Sequence, residues 1–279
     1  MIRQISPSTR VFALLGDPVS HSLSPAFQNA AIEGAALDAV YVALRCSAAD
    51  LPGALVSLAR AGGGGNVTVP HKELAAKVIE RPTQAVLDTG ACNSFWLEGD
   101  EICGDNTDVA GFRRAVEAVH GGSAAGARVL LIGAGGVARA ALYSLLDQEA
   151  AEVVILNRST ANAAALAQRY PAQRTTIRVV SAPVDLANSH FNLIVNATSL
   201  GLRPGDSRPL PPSFPFAGAA VLDLVYAPNE TAWVHEVRAG GATAADGLEM
   251  LLQQGAAAFE RWWGRVAPLE AMRAALPPR

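Results

Sequence analysis

The sequence has little cysteine and no surplus of either charge. Its three cysteines, Cys46, Cys92 and Cys103, have the spacing of neither a metal site nor a C-x-x-C pair. We therefore expect reduced thiols, no bound metal and a cytoplasmic location. Lys and Arg total 22 against 25 Asp and Glu, for a net charge of −3. This balance predicts neither a nucleic-acid partner nor binding to an anionic membrane.

Long apolar runs are missing as well. The longest are of strand length, so no membrane-spanning helix is predicted. The first ten residues, MIRQISPSTR, contain no apolar core of a signal peptide. The overall composition is nevertheless apolar, since 50% of the residues are hydrophobic. A chain of 279 residues with this composition can bury the core of one large domain or two medium ones.

Short runs rich in Val, Ile and Leu alternate with alanine-rich segments of helical spacing. The runs are VFALLG (11–16), AVYVAL (39–44), GNVTVP (65–70), RVLLIG (128–133), EVVILN (152–157), FNLIVN (191–196) and AVLDLVY (220–226). Continuous apolar strands separated by helices are typical of βαβ units, in which a parallel sheet is covered on both faces. The predicted fold class is therefore α/β.

The chain changes its organisation between residues 105 and 126. The segment TDVAGFRRAVEAVH is typical of a helix that begins near Thr107 and stops at Gly121. A Gly/Ala/Ser linker and a new strand follow. The final segment contains two helices with no strand between them, and it could cover either domain. The predicted boundaries are 1–107, 108–245 and 246–279.

The segment VLLIGAGGVARAAL (129–142) combines a strand, a glycine-rich turn and a helix. Gly133, Gly135 and Ala138 fill the pattern G-x-G-x-x-G/A. The first glycine permits the tight turn, the second lets the backbone approach a diphosphate, and the third position lets the helix pack closely on the strand. The helix N-terminus offers free N–H groups to phosphates. The segment predicts a dinucleotide site, with a purely structural turn as the alternative.

The end of the next strand distinguishes between dinucleotides. An NAD site normally presents Asp or Glu there to bind the ribose 2′-hydroxyl. This sequence has Asn157 and Arg158 instead. An arginine can pair with a 2′-phosphate through charge-assisted hydrogen bonds, so NADP is favoured over NAD. The alternative is that Arg158 is an ordinary surface arginine.

Two polar segments in the first half are candidates for chemistry. In GGGGNVTVPHKE (62–73), Asn66 and Thr68 alternate with valines, so one strand face is polar, and Lys72 follows. We expect the four glycines to loosen this strand. In ICGDNTDVAG (102–111), acidic and amide side chains gather where the long helix begins, near Asp108. The ordinary explanations are a solvated lysine and helix capping by Thr107 or Asp108.

A third segment, GDPVSHSLSPAFQ (16–28), leads from the first strand into a helix. Ser24 followed by Pro25 is typical of an N-cap serine with proline in the first helical position. We therefore predict that Ser24 caps this helix.

Together these segments resemble a known family. The motifs HSLSP, NVTVPHK, GACNS, GDNTD, GAGGVAR, NRS, NATSLG, DLVY and DGLEML…Q are similar to those of shikimate dehydrogenases, in the same order and at matching separations. The resemblance covers about Val11 to Trp263. It implies NADP-linked reduction of 3-dehydroshikimate to shikimate, in the biosynthesis of aromatic amino acids.

The resemblance also implies an architecture. The N-terminal α/β domain would bind the substrate, and the second domain would be a Rossmann-like dinucleotide domain with a parallel sheet. A cleft would lie between them, and the C-terminal helices would return to the first domain. The implied partners are small molecules, and the expected state is a monomer or homodimer.

The resemblance finally implies residue roles. Lys72 and Asp108 match the family's catalytic pair. The positions implied to bind substrate are Ser22, Ser24, Asn66, Thr68, Lys72, Asn93, Asp108, Tyr226 and Gln254. The positions implied to bind NADP are Gly133, Ala134, Gly135, Gly136, Val137, Asn157, Arg158, Ser159, Thr198, Leu224 and Gly247. Asp223 is expected to cap or brace its own loop.

Three other functions stay open at this point. A quinate/shikimate dehydrogenase or an aminoshikimate-type paralogue would share Lys72 and Asp108. An NAD-preferring quinate enzyme would more naturally have Asp near position 158. A non-catalytic sensor of pathway metabolites would tolerate loss of either catalytic residue, whereas this chain has both.

Overall fold

The computed structural model describes residues 5–170, 174–186, 189–203, 205–227 and 229–276. These residues form two compact units. Unit 1 comprises the described residues up to Thr107 together with those from Gln254 onward, and unit 2 comprises Asp108–Gln253. Residue 246, where the sequence suggested the last boundary, lies inside unit 2. The two units divide instead between Gln253 and Gln254, within the helix Leu248–Trp263.

Unit 1 contains a mixed sheet of six strands. Its elements up to Thr107 are β1 (Arg10–Gly16), α1 (Ser24–Gly34), β2 (Ala39–Arg45), α2 (Leu51–Arg60), β3 (Gly64–Val67), α3 (Lys72–Val78), β4 (Arg81–Pro82), α4 (Gln84–Thr89), β5 (Ser94–Glu98) and β6 (Glu101–Asp105). The strand order is β2-β1-β3-β5-β6-β4. Strands β2, β1 and β3 are parallel, as predicted, whereas β5 is antiparallel to both β3 and β6.

One face of α2 shows why the core of unit 1 forms. Leu51, Leu55 and Ala59 recur every four residues, so they lie on one side of the helix. All three are completely buried. They belong to one apolar cluster with Ala13 of β1 and Phe95 of β5. The helix therefore covers the sheet, as a βαβ crossover requires.

Two glycines of the run 62–65, Gly63 and Gly65, are packed tightly against β1, contrary to our expectation that the run loosens the strand. Ala13 and Gly65 are partners in the register of the two strands. A Cβ added at Gly65 would collide with the main-chain oxygen of Ala13, and one added at Gly63 would collide with that of Val11. The glycines are therefore required for two backbones to approach closely.

Unit 2 and the C-terminal segment contain the remaining elements. These are α5 (Thr107–His120), β7 (Arg128–Ile132), α6 (Gly136–Asp147), β8 (Glu152–Leu156), α7 (Thr160–Gln168), β9 (Thr176–Val180), a 3₁₀ turn (Pro183–Leu186), β10 (Leu193–Asn196), β11 (Ala220–Asp223), α8 (Ala232–Ala239), β12 (Thr243–Ala245), α9 (Leu248–Trp263) and α10 (Leu269–Ala274). Helix α9 begins in unit 2 and ends in unit 1, which also contains α10.

The sheet of unit 2 is entirely parallel and has the order β12-β11-β10-β7-β8-β9. Counted within the unit this is 6-5-4-1-2-3, the order of the doubly wound dinucleotide fold. Val129 and Leu131 belong to the apolar cluster on one face, and Leu130 and Ile132 to the cluster on the other. The prediction of a parallel sheet covered on both faces is confirmed here.

The described part of the chain has neither a membrane-spanning helix nor a cluster of metal ligands. None of the helices there is long and apolar enough to cross a membrane. The described residues likewise contain no group of three or more His, Cys, Asp or Glu side chains that could hold a metal ion. Cys46, Cys92 and Cys103 are buried free thiols.

Candidate active site

Lys72 is the first residue of α3, and the turn before it is held from several sides. The main-chain N–H of His71 donates to the carbonyl of Thr68 at 2.9 Å. The His71 Nε2 atom lies 2.7 Å from the carbonyl oxygen of Cys46. The carbonyl of Lys72 accepts a hydrogen bond of 2.9 Å from the N–H of Cys92. The lysine is half-buried, and its backbone is tied to the residue directly before Asn93.

Asn93 connects three parts of unit 1. Its Oδ1 accepts from the N–H of Thr107 at 2.7 Å and from the Thr107 hydroxyl at 3.0 Å. Its Nδ2 donates to Oε1 of Gln254 at 3.4 Å. Asn93 therefore satisfies the N–H of the first residue of α5 from outside the helix. Asp108 is buried in the first turn of α5.

Asn66 is joined to Asn93 and to a residue that sequence reasoning missed. The Asn66 Nδ2 donates to the main-chain carbonyl of Asn93 at 2.9 Å. The Tyr41 hydroxyl donates to Asn66 Oδ1 at 2.8 Å. Tyr41 lies within an apolar run that indicated only a buried strand, so no local signal marked it. Asn66, Asn93 and Gln254 form a hydrogen-bonded group of amides, here called the amide array.

The prediction that Ser24 caps α1 is wrong. Leu23 occupies the N-cap position, and its side chain makes no capping hydrogen bond. Leu23 already has helical dihedral angles, φ −83° and ψ −9°, so the helix begins one residue earlier than the Ser-Pro pattern indicated. Ser22 Oγ accepts a hydrogen bond of 3.2 Å from the N–H of Ser24. Ser22 thus supports the turn, and the buried Ser24 hydroxyl is not used for capping.

Asp105 holds the turn that leads into α5. Its Oδ1 accepts from the Thr83 hydroxyl at 2.6 Å and from the N–H of Asn106 at 2.8 Å. Its Oδ2 accepts from Nε of Arg261 at 2.8 Å. Arg261 lies on α9 two turns beyond Gln254, and therefore on the same face of that helix. This ion pair fixes α9 beside Asn93. The sequence did not predict it.

The glycine turn of unit 2 suits a diphosphate. Gly133 has φ +110°, and a Cβ there would lie 2.8 Å from the carbonyl oxygen of Ala197, so glycine is required. At Gly135 and Gly136 a Cβ would meet open space within the described part of the chain. In that same part, no side chain caps α6. The N–H groups at the start of α6 therefore face an open cradle, which fits an anionic group.

The floor of this cradle is apolar. Ala138 is completely buried, as close packing of the helix on the strand requires. Ala134 and Val137 are partly buried against the same apolar cluster. These residues place the turn but offer phosphates only their main-chain groups.

Arg158 and the glycine turn both follow the carboxyl ends of neighbouring strands of the sheet. β7 and β8 are parallel neighbours in which Ile132 is paired with Leu156, so the residues after both strands emerge side by side. Asn157 Nδ2 donates to the carbonyl of Ser159 at 2.8 Å. Ser159 in turn caps α7, and the Arg158 side chain between them is exposed. A rigid turn thus presents a guanidinium, which suits a 2′-phosphate.

Thr198, Leu224 and Gly247 come together at the carboxyl ends of β10 and β11. Both the N–H and the hydroxyl of Thr198 donate to Asn196 Oδ1, at 3.1 and 2.7 Å. The N–H of Leu224 donates to the carbonyl of Asn196 at 2.9 Å. A Cβ at Gly247 would collide with the carbonyl of Leu224. These three predicted NADP positions therefore form one packed group beside the topological switch point.

Asp223 braces these loops, as predicted. It is completely buried, and its carboxylate accepts from the Thr231 hydroxyl at 2.6 Å, Asn196 Nδ2 at 2.8 Å and the N–H of Val225 at 3.1 Å. Burial raises the pKa of Asp223 from 3.8 to about 6, although the Thr231 and Asn196 hydrogen bonds oppose that rise. The Asp246 carboxyl acts in the same direction as burial.

This pKa predicts a pH-dependent stability. Between the unfolded pKa of 3.8 and the folded pKa of about 6, the native state binds a proton more readily than the unfolded state. The stability that this carboxyl contributes is therefore lost as pH rises through that window. Relative to Asp223→Asn, wild type should lose about 2 kcal/mol of unfolding free energy between about pH 4.5 and about pH 7.5.

Urea unfolding of both proteins at the two pH values measures this difference. All other titrating groups are shared, so the difference reports on Asp223 and its interaction with Asp246. A difference in unfolding free energy that is the same at both pH values would contradict the assignment.

The remaining predicted substrate residues divide between the units. Ser22, Ser24, Asn66, Thr68, Lys72, Asn93 and Gln254 belong to unit 1, and Asp108 and Tyr226 belong to unit 2. Burial raises the pKa of the Tyr226 phenol, so it remains a hydrogen-bond donor at neutral pH. All of the predicted cofactor residues belong to unit 2.

Three family models match this chain. Residues 14–95 match the shikimate dehydrogenase substrate binding domain. Residues 115–200 match the shikimate/quinate 5-dehydrogenase model, and residues 247–276 match the shikimate 5'-dehydrogenase C-terminal domain.

Similar proteins match over nearly the whole chain. The shikimate dehydrogenase (NADP(+)) of Geobacter metallireducens is 40% identical over 275 residues, which cover 96% of both chains. That of Halobacterium salinarum is 41% identical over 270 residues, covering 96% of this chain and 99% of its own. The chain belongs to the shikimate dehydrogenase family.

Shikimate dehydrogenases of known structure share the fold. The enzyme of Thermus thermophilus, solved in complex with NADP(H) and shikimate, has a TM-score of 0.84 and 37% identity, covering 96% of this chain and 100% of its own. Our predictions of the family, the α/β fold class, an oxidoreductase activity and NADP as cofactor are confirmed. The roles of single residues stay predictions.

Proposed function

We propose that this chain catalyses the reversible, NADPH-dependent reduction of 3-dehydroshikimate to shikimate. One observation carries the proposal. The amide array is joined to the lysine-bearing turn, because the N–H of Cys92 bonds to the carbonyl of Lys72 and the next residue is Asn93. A lysine beside buried amides is suited to a substrate that has several hydroxyls and one carbonyl that is reduced.

The amide array and the nearby serine match the polar groups of such a substrate. An amide has both donors and acceptors, so Asn66 and Gln254 can bond ring hydroxyls in either sense. Asn93 would act as a donor, because its Oδ1 already accepts two hydrogen bonds from Thr107. Ser24 lies at the start of α1 with its hydroxyl free of a capping role, and a helix N-terminus favours a carboxylate. A substrate that lacks one of these hydroxyls would leave a buried amide unpaired, which costs affinity.

Lys72 and Asp108 are proposed to handle the proton. Bound NADPH supplies the hydride that reduces the carbonyl. The oxygen then gains negative charge, and the Lys72 ammonium stabilises that charge and donates a proton to it. Asp108 is proposed to orient the lysine. In the oxidation direction Lys72 must first be neutral to accept the proton, so oxidation should be faster at higher pH.

The test is NADPH oxidation followed by absorbance with 3-dehydroshikimate, repeated with NADH and with 3-dehydroquinate. We expect turnover with NADPH and 3-dehydroshikimate to be the fastest combination. Faster turnover of 3-dehydroquinate would assign a quinate/shikimate dehydrogenase instead. Absence of turnover with every combination would favour a metabolite sensor.

Arg158 tests the cofactor assignment. Replacing it by alanine should raise KM for NADPH by about tenfold to a hundredfold, because a hydrogen bond to a charged group contributes about 1.5–3 kcal/mol. KM for NADH should change less than about twofold, because NADH has no 2′-phosphate and therefore makes no such hydrogen bond to Arg158. Steady-state kinetics with both cofactors measure the two values.

Arg174→Ala is the matched control for Arg158. It removes an exposed arginine of the same unit, which pairs with Glu149. Arg174 precedes β9 and so lies at the amino ends of the strands, whereas Arg158 follows the carboxyl end of β8. KM for NADPH should stay at the wild-type value in this variant. Equal weakening of NADPH and NADH by Arg158→Ala would exclude the 2′-phosphate role.

The proposal also includes a monomer or homodimer in the cytoplasm, with the two small molecules as its partners. Buried free thiols support a reducing compartment. Size-exclusion chromatography with light scattering determines the oligomeric state, and a larger assembly would correct it.

A further inference from the structure

Tyr41 is placed so that it can act on Asn66 from two strands away. Its side chain is only 1% exposed, and its ring stacks on Trp262 with centroids 6.0 Å apart. Phe12 of the intervening strand β1 is paired with both Tyr41 and Gly64. Asn66, two residues after Gly64, therefore faces the same side of the sheet as Tyr41. This brings the Tyr41 hydroxyl to Asn66 Oδ1 at 2.8 Å.

The direction of this hydrogen bond is fixed. Asn66 Nδ2 donates to the carbonyl of Asn93, and a carbonyl can only accept, so the amide oxygen is the atom that faces Tyr41. Burial raises the pKa of Tyr41, so the hydroxyl keeps its proton and donates. The amide of Asn66 thus has a partner at each end and cannot turn over without breaking both hydrogen bonds.

The backbone of Tyr41 is held just as firmly. β2 is the edge strand of its sheet, where main-chain groups commonly lack partners. The N–H of Tyr41 donates to Asn29 Oδ1 at 2.9 Å, and its carbonyl accepts from Asn29 Nδ2 at 2.8 Å. Asn29 lies on α1, whose first residue is Ser24. A continuous polar chain therefore links this helix through Tyr41 to Asn66 and Asn93.

We propose that the Tyr41 hydroxyl is a positioning group that fixes the orientation of the Asn66 amide toward the substrate. An amide has two N–H donors and two lone pairs on its oxygen. One of each is used by Asn93 and Tyr41, so Asn66 presents one donor and one acceptor in set directions. Tyr41 itself does not touch the substrate. This inference rests on the proposed function, in which Asn66 binds a ring hydroxyl of shikimate.

Tyr41→Phe tests the proposal by removing a single oxygen atom while keeping the ring on Trp262. We expect KM for shikimate to rise about tenfold, the usual effect of one lost hydrogen bond at a site. KM for NADP⁺ and kcat should each stay within about threefold. Tyr143→Phe, the same chemical change on α6 of unit 2, is the control and should leave all three constants unchanged. Equal changes in both KM values would indicate general damage and overturn the proposal.

A double-mutant cycle separates positioning from other roles. If the hydroxyl acts through Asn66, Tyr41→Phe should change KM for shikimate less than twofold when introduced into Asn66→Ala. A tenfold change in that background as well would overturn the proposal.

A further measurement requires neither turnover nor a variant that folds. In the ¹⁵N spectrum of the ligand-free wild type, the side-chain amide proton that Asn66 donates to the main-chain carbonyl of Asn93 should exchange slowly with water. The Asn66 side-chain signals are assigned in uniformly ¹³C- and ¹⁵N-labelled wild type by through-bond correlation to the Asn66 side-chain carbons. Fast exchange in wild type would overturn the positioning role. If wild type shows slow exchange but does not turn over shikimate, the proposed function fails and the positioning of Asn66 stands.

Discussion

Replacing Lys72 by alanine is expected to lower kcat for 3-dehydroshikimate reduction by about a hundredfold or more, with little change in KM for substrate or NADPH. The reason is that a positioned acid–base group usually contributes about 10²–10⁴-fold to a rate. Alanine also removes the positive charge that stabilises the developing alkoxide, and this interaction exists only in the transition state. Steady-state kinetics at saturating NADPH measure the effect.

Lys77→Ala is the matched control for this experiment. Lys77 lies in the last turn of the same helix, α3, and is exposed. Its removal changes the net charge by the same amount, so a general electrostatic effect would appear in both variants. Near-normal turnover in Lys72→Ala, or an equal loss in Lys77→Ala, would exclude Lys72 as the acid.

Replacing Gly65 by alanine should destabilise the protein by more than about 4 kcal/mol, which is at the extreme end for a single substitution. A methyl group at this position would occupy the space of the Ala13 carbonyl oxygen on the paired strand. Both strands lie inside the sheet, so neither can move away without disturbing its other neighbour. Urea denaturation measures the loss as a decrease in the free energy of unfolding. A low yield of folded protein would also indicate that the variant is destabilised.

Gly53→Ala is the opposite case and serves as control. Gly53 lies in α2, where an added Cβ meets nothing within 4 Å in the described part of the chain. Alanine is favoured over glycine in a helix by about 1 kcal/mol, so this variant should be as stable as wild type or more so. If the free energy of unfolding of Gly65→Ala is within about 1 kcal/mol of the wild-type value, close strand approach does not explain the glycine run.

Much of the fold is visible in the sequence because continuous apolar strands are a strong signal. Each of the seven predicted runs overlaps a strand. The hairpin of β5 and β6 was missed because Cys103 and Gly104 interrupt its apolar alternation. β9 is a half-exposed edge strand and β12 has only three residues, so neither produces a run long enough to recognise.

The candidate site was predictable only where its residues lie in motifs. Lys72, Asn93 and Asp108 lie in short segments whose order and spacing match a family. Tyr41 and Arg261 act on residues 25 and 156 positions away, and no local pattern encodes such contacts. The capping of α1 was wrong for a different reason. A Ser-Pro pair indicates where a helix starts, but the backbone of Leu23 had already adopted helical angles.

The position of Asn93 has a consequence for how the protein is made. The chain leaves unit 1 after Thr107 and returns at Gln254, and both residues bond to the one Asn93 side chain. In terms of chain topology, unit 2 is therefore an insertion whose two ends meet at a single amide. During synthesis every residue of unit 2 emerges from the ribosome before the last part of unit 1 emerges. The unit that comes second in the sequence is thus the first that can finish folding.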